Sequence, residues 1–327
     1  MIKTPIKVIE LFAGYGSQSL ALKYLGIPIE HHFVCEFDKY AMQSYNDIHG
    51  TNFKPTDVRE ITAKDLNVTD TDNNKYLLTY SFPCTDLSLA GQRKGMQRES
   101  GTSSSLLWEV ERLLMECAYL QKEDPKKYGL PQYLLMENVP QVVSKDNLAL
   151  FGEWTTFLQQ LGYENKYKIL NAKDFGVPQN RERCYMVSIL KSEHKVFTFP
   201  NPKPLTKRLK DVLQPPEEVE EKYYIRTEKA QKLIQQLCDK GQLQPGGVNL
   251  TNMTGDREPN AAPINVAGTL CARDYKGPNN FGFNAAIEPI GYIEKGTGQH
   301  QSNSVHGIEG VSPTLSASYM TNIAEGR

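Results

Sequence analysis

Apolar runs of strand length alternate with segments of helical length along residues 6–190. The first run, residues 6–12, ends in a glycine turn that leads into a helical pattern, and Gly26 is placed to end that helix. Such alternation is typical of an α/β fold, a mostly parallel Rossmann-like sheet with helices on both faces. The pattern predicts strands over 6–12, 32–37, 76–82, 132–139 and 184–190, and helices over 17–25, 39–47, 105–121 and 150–161.

The alternation stops near residue 198, where Pro200, Pro202 and Pro204 follow one another at every second position. Proline lacks the backbone N–H that helices and inner strands use, so neither element continues through this stretch. We place a domain boundary here, between residues 1–197 and residues 198–327. The second domain is smaller, loop-rich and rich in Gly, Asn, Thr and Pro, with one predicted helix over 227–240.

Charge and cysteine content narrow the class of protein. The 37 Lys and Arg residues nearly cancel the 38 Asp and Glu residues, so an anionic partner is held by local patches and not by net charge. The six cysteines form no CxxC pair, which argues against a disulfide framework or a metal site and favours a reducing compartment. No signal peptide or membrane span is evident. We expect a soluble, cytoplasmic protein without a metal.

The turn after the first predicted strand carries the first candidate site. Phe12, Gly14 and Gly16 lie between that strand and the first helix. Glycines there let the backbone turn sharply and approach a ligand, and the following helix terminus offers free N–H groups. A GxG alone is weak evidence, and a purely structural turn is about as consistent with it.

Acidic and aromatic residues after the next strands add to this site. Glu36 ends the second strand, where nucleotide-binding sheets place a carboxylate for ribose hydroxyls. Phe37 is placed to lie against an adenine face, and Asp57 and Val58 to reach the adenine edge. Each residue alone fits a solvated strand end or a packed aromatic. Together they indicate an adenosine ligand, and the missing third glycine favours a mononucleoside over a dinucleotide.

A second candidate site lies at the ends of two later strands. Cys84 follows Pro83 directly and precedes a polar run, which presents the thiol in a loop, although a small buried hydrophobic role is the alternative. Glu137 ends an apolar strand, where desolvation raises a carboxyl pKa and keeps a proton for donation. A salt-bridged glutamate is the other interpretation. Arg181 and Arg183 are placed to pair with Glu137, to hold a phosphate, or to form a surface ion-pair lattice.

These motifs, in this order and spacing, resemble the DNA (cytosine-5) methyltransferases. The resemblance is close over residues 6–190 and rests on four motifs. It implies S-adenosylmethionine as cofactor, double-stranded DNA as substrate, and a cytosine flipped out of the duplex. It implies Cys84 as nucleophile and Glu137 as proton donor to the base. The motifs are Leu11-Phe12-Ala13-Gly14-Tyr15-Gly16, Phe82-Pro83-Cys84 with Ser88, Glu137-Asn138-Val139, and Gln179 with Arg181 and Arg183.

The resemblance also implies which residues bind the cofactor and the DNA. Phe12, Gly14, Gly16, Glu36, Phe37, Asp57 and Val58 would bind the cofactor, and Pro83 would form a wall that cofactor and base share. Ser88, Arg181 and Arg183 would hold the target nucleotide, with Gln179 beside them. Residues 198–327 would recognise DNA, and Arg273 is one candidate base-reading side chain there. The recognition sequence, and a restriction, phage or orphan setting, stay open.

Departures from the family pattern keep other interpretations open. Ser81 and Thr85 flank the Phe-Pro-Cys run where many members have Gly and Gln. The family's closing segment, which contains an Asn-Ser-Val motif and lines the cofactor pocket, has no counterpart in the expected order, because Asn303-Ser304-Val305 precedes Ser312-Pro313-Thr314-Leu315. We expect a complementing C-terminal polypeptide, or a catalytically impaired DNA-binding fragment. A transfer-RNA cytosine methyltransferase is a further alternative.

Overall fold

A computed structural model describes residues 4–83, 103–215, 218–219, 228–243, 249–254, 260–263, 267, 283–293 and 303–307. The chain divides into two compact units. The first, here called the sheet unit, consists of Met1–Leu170 and Glu182–Asn201, and the second consists of Asn171–Arg181 and Pro202–Arg327. This division assigns Asn171–Arg181, a segment that precedes residue 198, to the second unit, and the domain boundary at residue 198 stays a prediction.

The sheet unit is built on a six-stranded sheet with the order β2-β1-β3-β4-β6-β5. Strand β1 pairs in parallel with β2 and β3, β3 pairs in parallel with β4, and β4 pairs antiparallel with β6. The elements are β1 (Ile6–Leu11), α1 (Ser17–Tyr24), β2 (Ile29–Cys35), α2 (Lys39–His49), α3 (Ala63–Leu66), β3 (Tyr76–Tyr80), α4 (Leu107–Glu123), β4 (Tyr133–Asn138), α5 (Leu148–Gln160), β5 (Tyr163–Asn171) and β6 (Glu182–Leu190).

The core of the sheet unit lies where the central strands meet helices α4 and α5. Leu78 and Leu134 on the strands, like Leu113 on α4, have no solvent exposure. Trp154 on α5 donates its ring N–H to the hydroxyl of Tyr80 at 3.1 Å, so a polar atom of each large aromatic is satisfied inside the core. Burial of this apolar surface is the main term that holds the strand ends in place.

The predicted strands and long helices of the sheet unit are all present, with small shifts at their ends. Two elements were not predicted, strand β5 and the short helix α3. Strand β5 is terminal in the sheet order and carries exposed side chains at Glu164, Tyr167, Lys168 and Ile169. Its sequence therefore lacks the continuous apolar run that marks a central parallel strand.

The second unit contains helix α6 (Glu228–Asp239), as predicted, and four strands. The strands form an antiparallel sheet with the order β10-β9-β7-β8. Asn303-Ser304-Val305 opens strand β10, where Asn303 lies opposite Ile293 of β9. The strands are β7 (Asn249–Thr254), β8 (Asn260–Pro263), β9 (Phe283–Ile293) and β10 (Asn303–Gly307).

No helix within the described residues is both long and apolar enough to cross a membrane.

Candidate active site

The turn between β1 and α1 has the backbone that its glycines predict. Gly14 and Gly16 have φ values of +55° and +78°, and Phe12 has φ +56°. The left-handed region is strained for residues with a side chain, so Phe12 is held there by its surroundings. Gly16 forms the N-terminal cap position of α1 without a side-chain hydrogen bond. The loop therefore presents backbone N–H groups at a helix start.

Glu36 links this loop to the end of β2. Its Oε2 accepts a hydrogen bond from the Gly14 N–H at 2.8 Å, and its Oε1 accepts one from the Asp38 N–H at 2.9 Å. The carbonyl of Glu36 accepts a further bond from the Thr56 N–H at 2.8 Å. One acidic residue thus joins three loops at the carboxyl edge of the sheet. Each carboxylate oxygen keeps a second lone pair for a ligand hydroxyl.

The residues expected around an adenine occupy different environments. Phe37 is 73% exposed, which leaves its ring free to stack on a planar ligand. The Asp57 carboxylate is held by Arg59, whose hydrogen bonds keep the pKa of Asp57 below its ordinary value. Val58 is buried, and its carbonyl accepts a hydrogen bond from Arg112 at 3.1 Å. Arg112 also donates to the Ile61 carbonyl at 3.0 Å, so α4 fixes this segment.

The chain that leads to the expected nucleophile is anchored at three consecutive residues. The Ser81 hydroxyl accepts a bond from Gln18 of α1 at 3.1 Å. The Phe82 carbonyl accepts one from Asn138 of β4 at 3.0 Å, and the Pro83 carbonyl accepts one from Ser104 at 3.0 Å. These bonds tie the end of β3 to the glycine-loop helix and to β4. Cys84 and Ser88 themselves lie outside the described residues.

Glu137 lies at the end of β4 and forms an ion pair with Arg183 of β6. The distance from Arg183 Nε to Glu137 Oε1 is 3.0 Å, and both side chains are largely shielded, at 16% and 21% exposure. The antiparallel register between β4 and β6 brings the two side chains together, since Asn138 lies opposite Cys184. Arg183 therefore pairs with Glu137, so Glu137 is the salt-bridged glutamate and not the isolated carboxyl that the apolar strand also allowed.

Arg181 and Gln179 belong to the second unit, whereas Arg183 belongs to the sheet unit. The Arg181 N–H donates to Asn171 Oδ1 at 3.1 Å and to the Gln179 carbonyl at 3.1 Å. Next to them, the Asn180 N–H donates to the Ala267 carbonyl at 2.7 Å. Asn171 and Ala267 therefore organise this turn. Arg273 lies outside the described residues.

Three other cysteines are unsuited to nucleophilic chemistry. Cys35, Cys117 and Cys184 are buried. Burial raises the pKa of Cys35 and of Cys117 to about 12, and that of Cys184 to about 11. A thiol with such a pKa is protonated at neutral pH and reacts slowly. Over the described residues, no group of three or more His, Cys, Asp or Glu side chains is arranged to hold a metal ion.

Three residues that hold this region together are not predicted from the sequence. Tyr45 and His49 of α2 contact the glycine loop, and Arg112 of α4 holds the segment after Asp57. Arg112 lies between Glu109 and Glu116 at helical spacing, which reads as an ordinary surface ion-pair ladder. The hydrogen bonds from Arg112 Nη2 to the Val58 and Ile61 carbonyls depend on long-range packing, for which the sequence holds no signal. Tyr45 and His49 share a helix face, the only local hint.

Comparison with known proteins identifies the class of enzyme to which this fold and site belong. A family model described as C-5 cytosine-specific DNA methylase matches residues 6–258, so the chain belongs to this family. The type II methyltransferase M2.ScrFI of Lactococcus lactis subsp. cremoris is 35% identical over 268 residues, which cover 68% of this chain and 70% of the relative. M.Bsp6I of Bacillus sp. (strain RFL6) is 36% identical over 226 residues, which cover 68% of this chain and 65% of the relative.

Solved structures give the same fold. The chain superposes on Schizosaccharomyces pombe Dnmt2 methyltransferase with a TM-score of 0.55 at 22% identity, over 89% of this chain and 77% of that chain. It superposes on a Spodoptera frugiperda DNMT2 variant with a TM-score of 0.58 at 16% identity, over 87% of this chain and 75% of that one. At these identities the likeness concerns the fold alone.

Proposed function

We propose that this protein transfers a methyl group to carbon 5 of cytosine in double-stranded DNA, through a covalent adduct with Cys84. The observation that carries the proposal is the junction of two strand ends. Strands β3 and β4 pair in parallel with Tyr80 opposite Met136, and Asn138 holds the Phe82 carbonyl at 3.0 Å. The segment that enters Cys84 therefore leaves the sheet beside Glu137. Family membership supports the same chemistry.

The residues around the glycine loop fit S-adenosylmethionine as the methyl donor. A Cβ on Gly14 would meet no atom within 4 Å, so the loop borders open space there. Glu36 has spare acceptor capacity for ribose hydroxyls, and the exposed Phe37 ring suits an adenine face. When bound, the donor supplies an electrophilic methyl group. In this proposal Phe12, Gly14, Gly16, Glu36 and Phe37 hold it, with Asp57, Val58 and Pro83 completing the pocket.

Carbon 5 of cytosine is too weak a nucleophile to take the methyl group unaided, which gives Cys84 and Glu137 their roles. The Cys84 thiolate adds to carbon 6 while Glu137, which takes up a proton as the base enters beside its ion pair with Arg183, donates that proton to ring nitrogen 3. The resulting enamine carries nucleophilic character at carbon 5, and carbon 5 would bond to the methyl group as the bond between that methyl group and the donor's sulfur breaks. Loss of the carbon 5 proton to a base then expels the thiolate, and nitrogen 3 returns its proton to Glu137. Cysteine suits this role because it leaves as readily as it adds.

The target base must leave the helix for this reaction, because carbon 6 is stacked inside duplex DNA. Extrusion costs about a few kcal/mol of stacking and pairing. In our proposal Ser88, Gln179, Arg181 and Arg183 hold the extruded nucleotide. Arg183 does so while it orients the Glu137 carboxyl, which it already contacts. Residues 198–327, with Arg273 among the candidate base-reading side chains, recognise the DNA sequence.

A methyl-transfer assay tests the proposal. The full chain, together with the complementing C-terminal polypeptide expected from its sequence, labelled S-adenosylmethionine and mixed-sequence duplex DNA, should produce 5-methylcytosine on digestion of the DNA. Cys84→Ser should reduce the product by at least about a thousandfold, since serine is far less nucleophilic at neutral pH. Cys238→Ser on α6 serves as the matched control and should leave the yield unchanged. Unchanged yield in Cys84→Ser contradicts the proposal. If methylated product forms on transfer RNA but not on DNA, the substrate is RNA and the proposed DNA substrate is wrong.

A further inference from the structure

Helix α2 packs directly against the backbone of the glycine loop through two side chains. A Cβ built on Gly16 would overlap His49 Nε2 and would lie 2.6 Å from Tyr45 Cε2. Real Cβ atoms do not approach other atoms so closely, so only glycine permits this packing. The loop consequently has no room to move toward α2.

His49 also holds the residue before Gly16. Its Nε2 lies 3.1 Å from the Tyr15 carbonyl oxygen. A carbonyl oxygen can only accept, so Nε2 must carry the hydrogen of this bond. The rings of Tyr45 and His49 are tilted against each other with centroids 4.5 Å apart. The imidazole is thus both a hydrogen-bond donor to the loop and part of an aromatic wedge beneath it.

Tyr45 is itself fixed by a buried carboxylate. Its hydroxyl donates to Glu10 Oε2 at 2.5 Å, and the Ser19 hydroxyl donates to the same oxygen at 2.5 Å. His31 Nδ1 lies 2.6 Å from the Tyr45 hydroxyl. Glu10 has no solvent exposure, and its Oε1 has no hydrogen-bond partner among the described residues. A buried carboxylate oxygen without a hydrogen bond lowers the stability of the folded chain. Such a cost indicates that the position of Glu10 serves another purpose.

These hydrogen bonds and contacts hold the glycine loop at the residues before it and at the residues after it. Glu10 lies on β1, just before the loop, and Ser19 lies on α1, just after it. Tyr45 connects Glu10 to the underside of Gly16, and His49 connects α2 to Tyr15. Since the Gly14 N–H is already hydrogen-bonded to Glu36, any shift of the loop also moves the carboxylate assigned to the ribose.

We infer that His49 and Tyr45 are positioning residues for the methyl donor, acting through the glycine loop. The inference deepens the proposed function and rests on it for the identity of the ligand. His49 fixes the Tyr15 carbonyl, and Tyr45 fixes the height of Gly16 above α2. Together they set the distance between the Gly14 N–H and Glu36 before the donor arrives, and such preorganisation saves the ordering cost at binding.

Two substitutions of His49 separate its hydrogen bond from its bulk. His49→Leu keeps most of the volume but has no donor, whereas His49→Gln places an amide N–H within reach of the Tyr15 carbonyl. Gln43→Ala, at an exposed position of the same helix, is the matched control. Tyr45→Phe removes only the hydroxyl that binds Glu10. Calorimetry measures S-adenosylmethionine affinity, and hydrogen exchange measures protection of residues 12–18 in the ligand-free full chain.

The expected outcome is a loss specific to His49→Leu. Its loop amides should exchange about tenfold faster, and its S-adenosylmethionine affinity should fall about tenfold, the equivalent of one lost hydrogen bond. His49→Gln should lie within about threefold of the unsubstituted chain in both measurements. Tyr45→Phe should weaken both to a similar degree as His49→Leu.

Equal exchange rates in His49→Leu and the unsubstituted chain overturn the inference, and so does an equal loss in His49→Gln and His49→Leu. A different result contradicts the proposed function instead. If the unsubstituted chain binds no S-adenosylmethionine even with the complementing C-terminal polypeptide present, the identity of the ligand is wrong, while the exchange comparison still decides whether His49 holds the loop.

Discussion

Glu36 shows how much of this site depends on a single side chain. Its two oxygens accept backbone hydrogen bonds from Gly14 and Asp38, on loops that follow different strands. Charge-assisted bonds of this kind are stronger than neutral ones, and both loops lose an anchor if the charge is removed. The residue therefore has a structural role beside the ligand-binding role that we propose for it.

For Glu36→Gln we predict a loss in both roles. Glutamine offers one acceptor oxygen, so its amide N–H₂ would face the N–H of Gly14 or Asp38. The free energy of unfolding should fall by about 1–3 kcal/mol in urea titrations, and S-adenosylmethionine affinity should fall by at least about tenfold in calorimetry. Asp47→Asn, exposed on α2, is the control for charge. Unaltered affinity in Glu36→Gln would remove Glu36 from the donor pocket.

The Glu137–Arg183 pair makes a second prediction for single residues. Both side chains are largely shielded, so removing one partner leaves the other charge poorly solvated. Arg183→Met and Glu137→Gln should each lower the free energy of unfolding by about 1–3 kcal/mol. In a double-mutant cycle, the combined variant should lose less than the sum of the two. Strict additivity would mean that the pair contributes no coupling, and Arg183 would then not orient the Glu137 carboxyl.

Among the structural elements, the turn between β1 and α1 offers an internally controlled comparison. Gly14 and Gly16 both have positive φ, but a Cβ on Gly14 meets open space, whereas one on Gly16 overlaps α2. Gly14→Ala should therefore cost only the backbone strain, about 1 kcal/mol of unfolding free energy. Gly16→Ala should cost about 2–4 kcal/mol, because the loop or α2 must also shift. Urea unfolding of both variants measures the difference, and equal costs would show that α2 does not confine the loop.

The sequence predicts the elements of this fold well where burial makes their pattern continuous. The central strands and the helices beside them have long apolar runs, and the glycine turn has the composition that its positive φ values require. Strand β5 is not predicted because its edge position leaves Glu164 and the consecutive Tyr167, Lys168 and Ile169 exposed, so neither an apolar run nor a regular alternation marks it. The short helix α3 has only four residues, too few for a periodic signal.

The candidate site was predictable to the extent that its residues follow strands. Glu36 and Glu137 occupy strand ends, and parallel pairing brings such ends to one edge of the sheet. Tyr45, His49 and Arg112 act from helix faces, where a polar residue ordinarily faces water. Their contacts depend on which helix packs over which loop, and this is a property of the folded chain. The order of the motifs carried the family resemblance, and family membership is confirmed.

At the scale of the whole molecule, the cluster around His31 predicts how stability depends on pH. Burial lowers the pKa of His31 below 6.5, and the nearby His49 and Lys23 lower it further, although Glu10 and Tyr45 also face the ring. Below about pH 6.5 an unfolded histidine therefore takes up a proton that folded His31 does not. Folding stability should fall as the pH drops through this range.

Urea unfolding at pH 7.5 and pH 5.5 measures this dependence. The midpoint should be lower at pH 5.5, and His31→Asn, which keeps an N–H for the Tyr45 hydroxyl, should reduce the difference between the two conditions. His194→Asn, at an exposed position, should leave the difference as it is. A midpoint that rises on acidification would contradict the assignment of a neutral His31.

The central claim is that Cys84 bonds to carbon 6 of the target cytosine, and trapping that bond tests it most directly. Duplex DNA that contains 5-fluorocytosine cannot release the enzyme after methyl transfer, because no proton can leave carbon 5. With S-adenosylmethionine and the complementing C-terminal polypeptide, the full chain should form a denaturation-resistant complex. Peptide mapping should locate the DNA on Cys84 and not on the buried Cys35, Cys117 or Cys184. Cys84→Ser should form none. A complex that persists in Cys84→Ser, or that maps to another residue, would contradict the account.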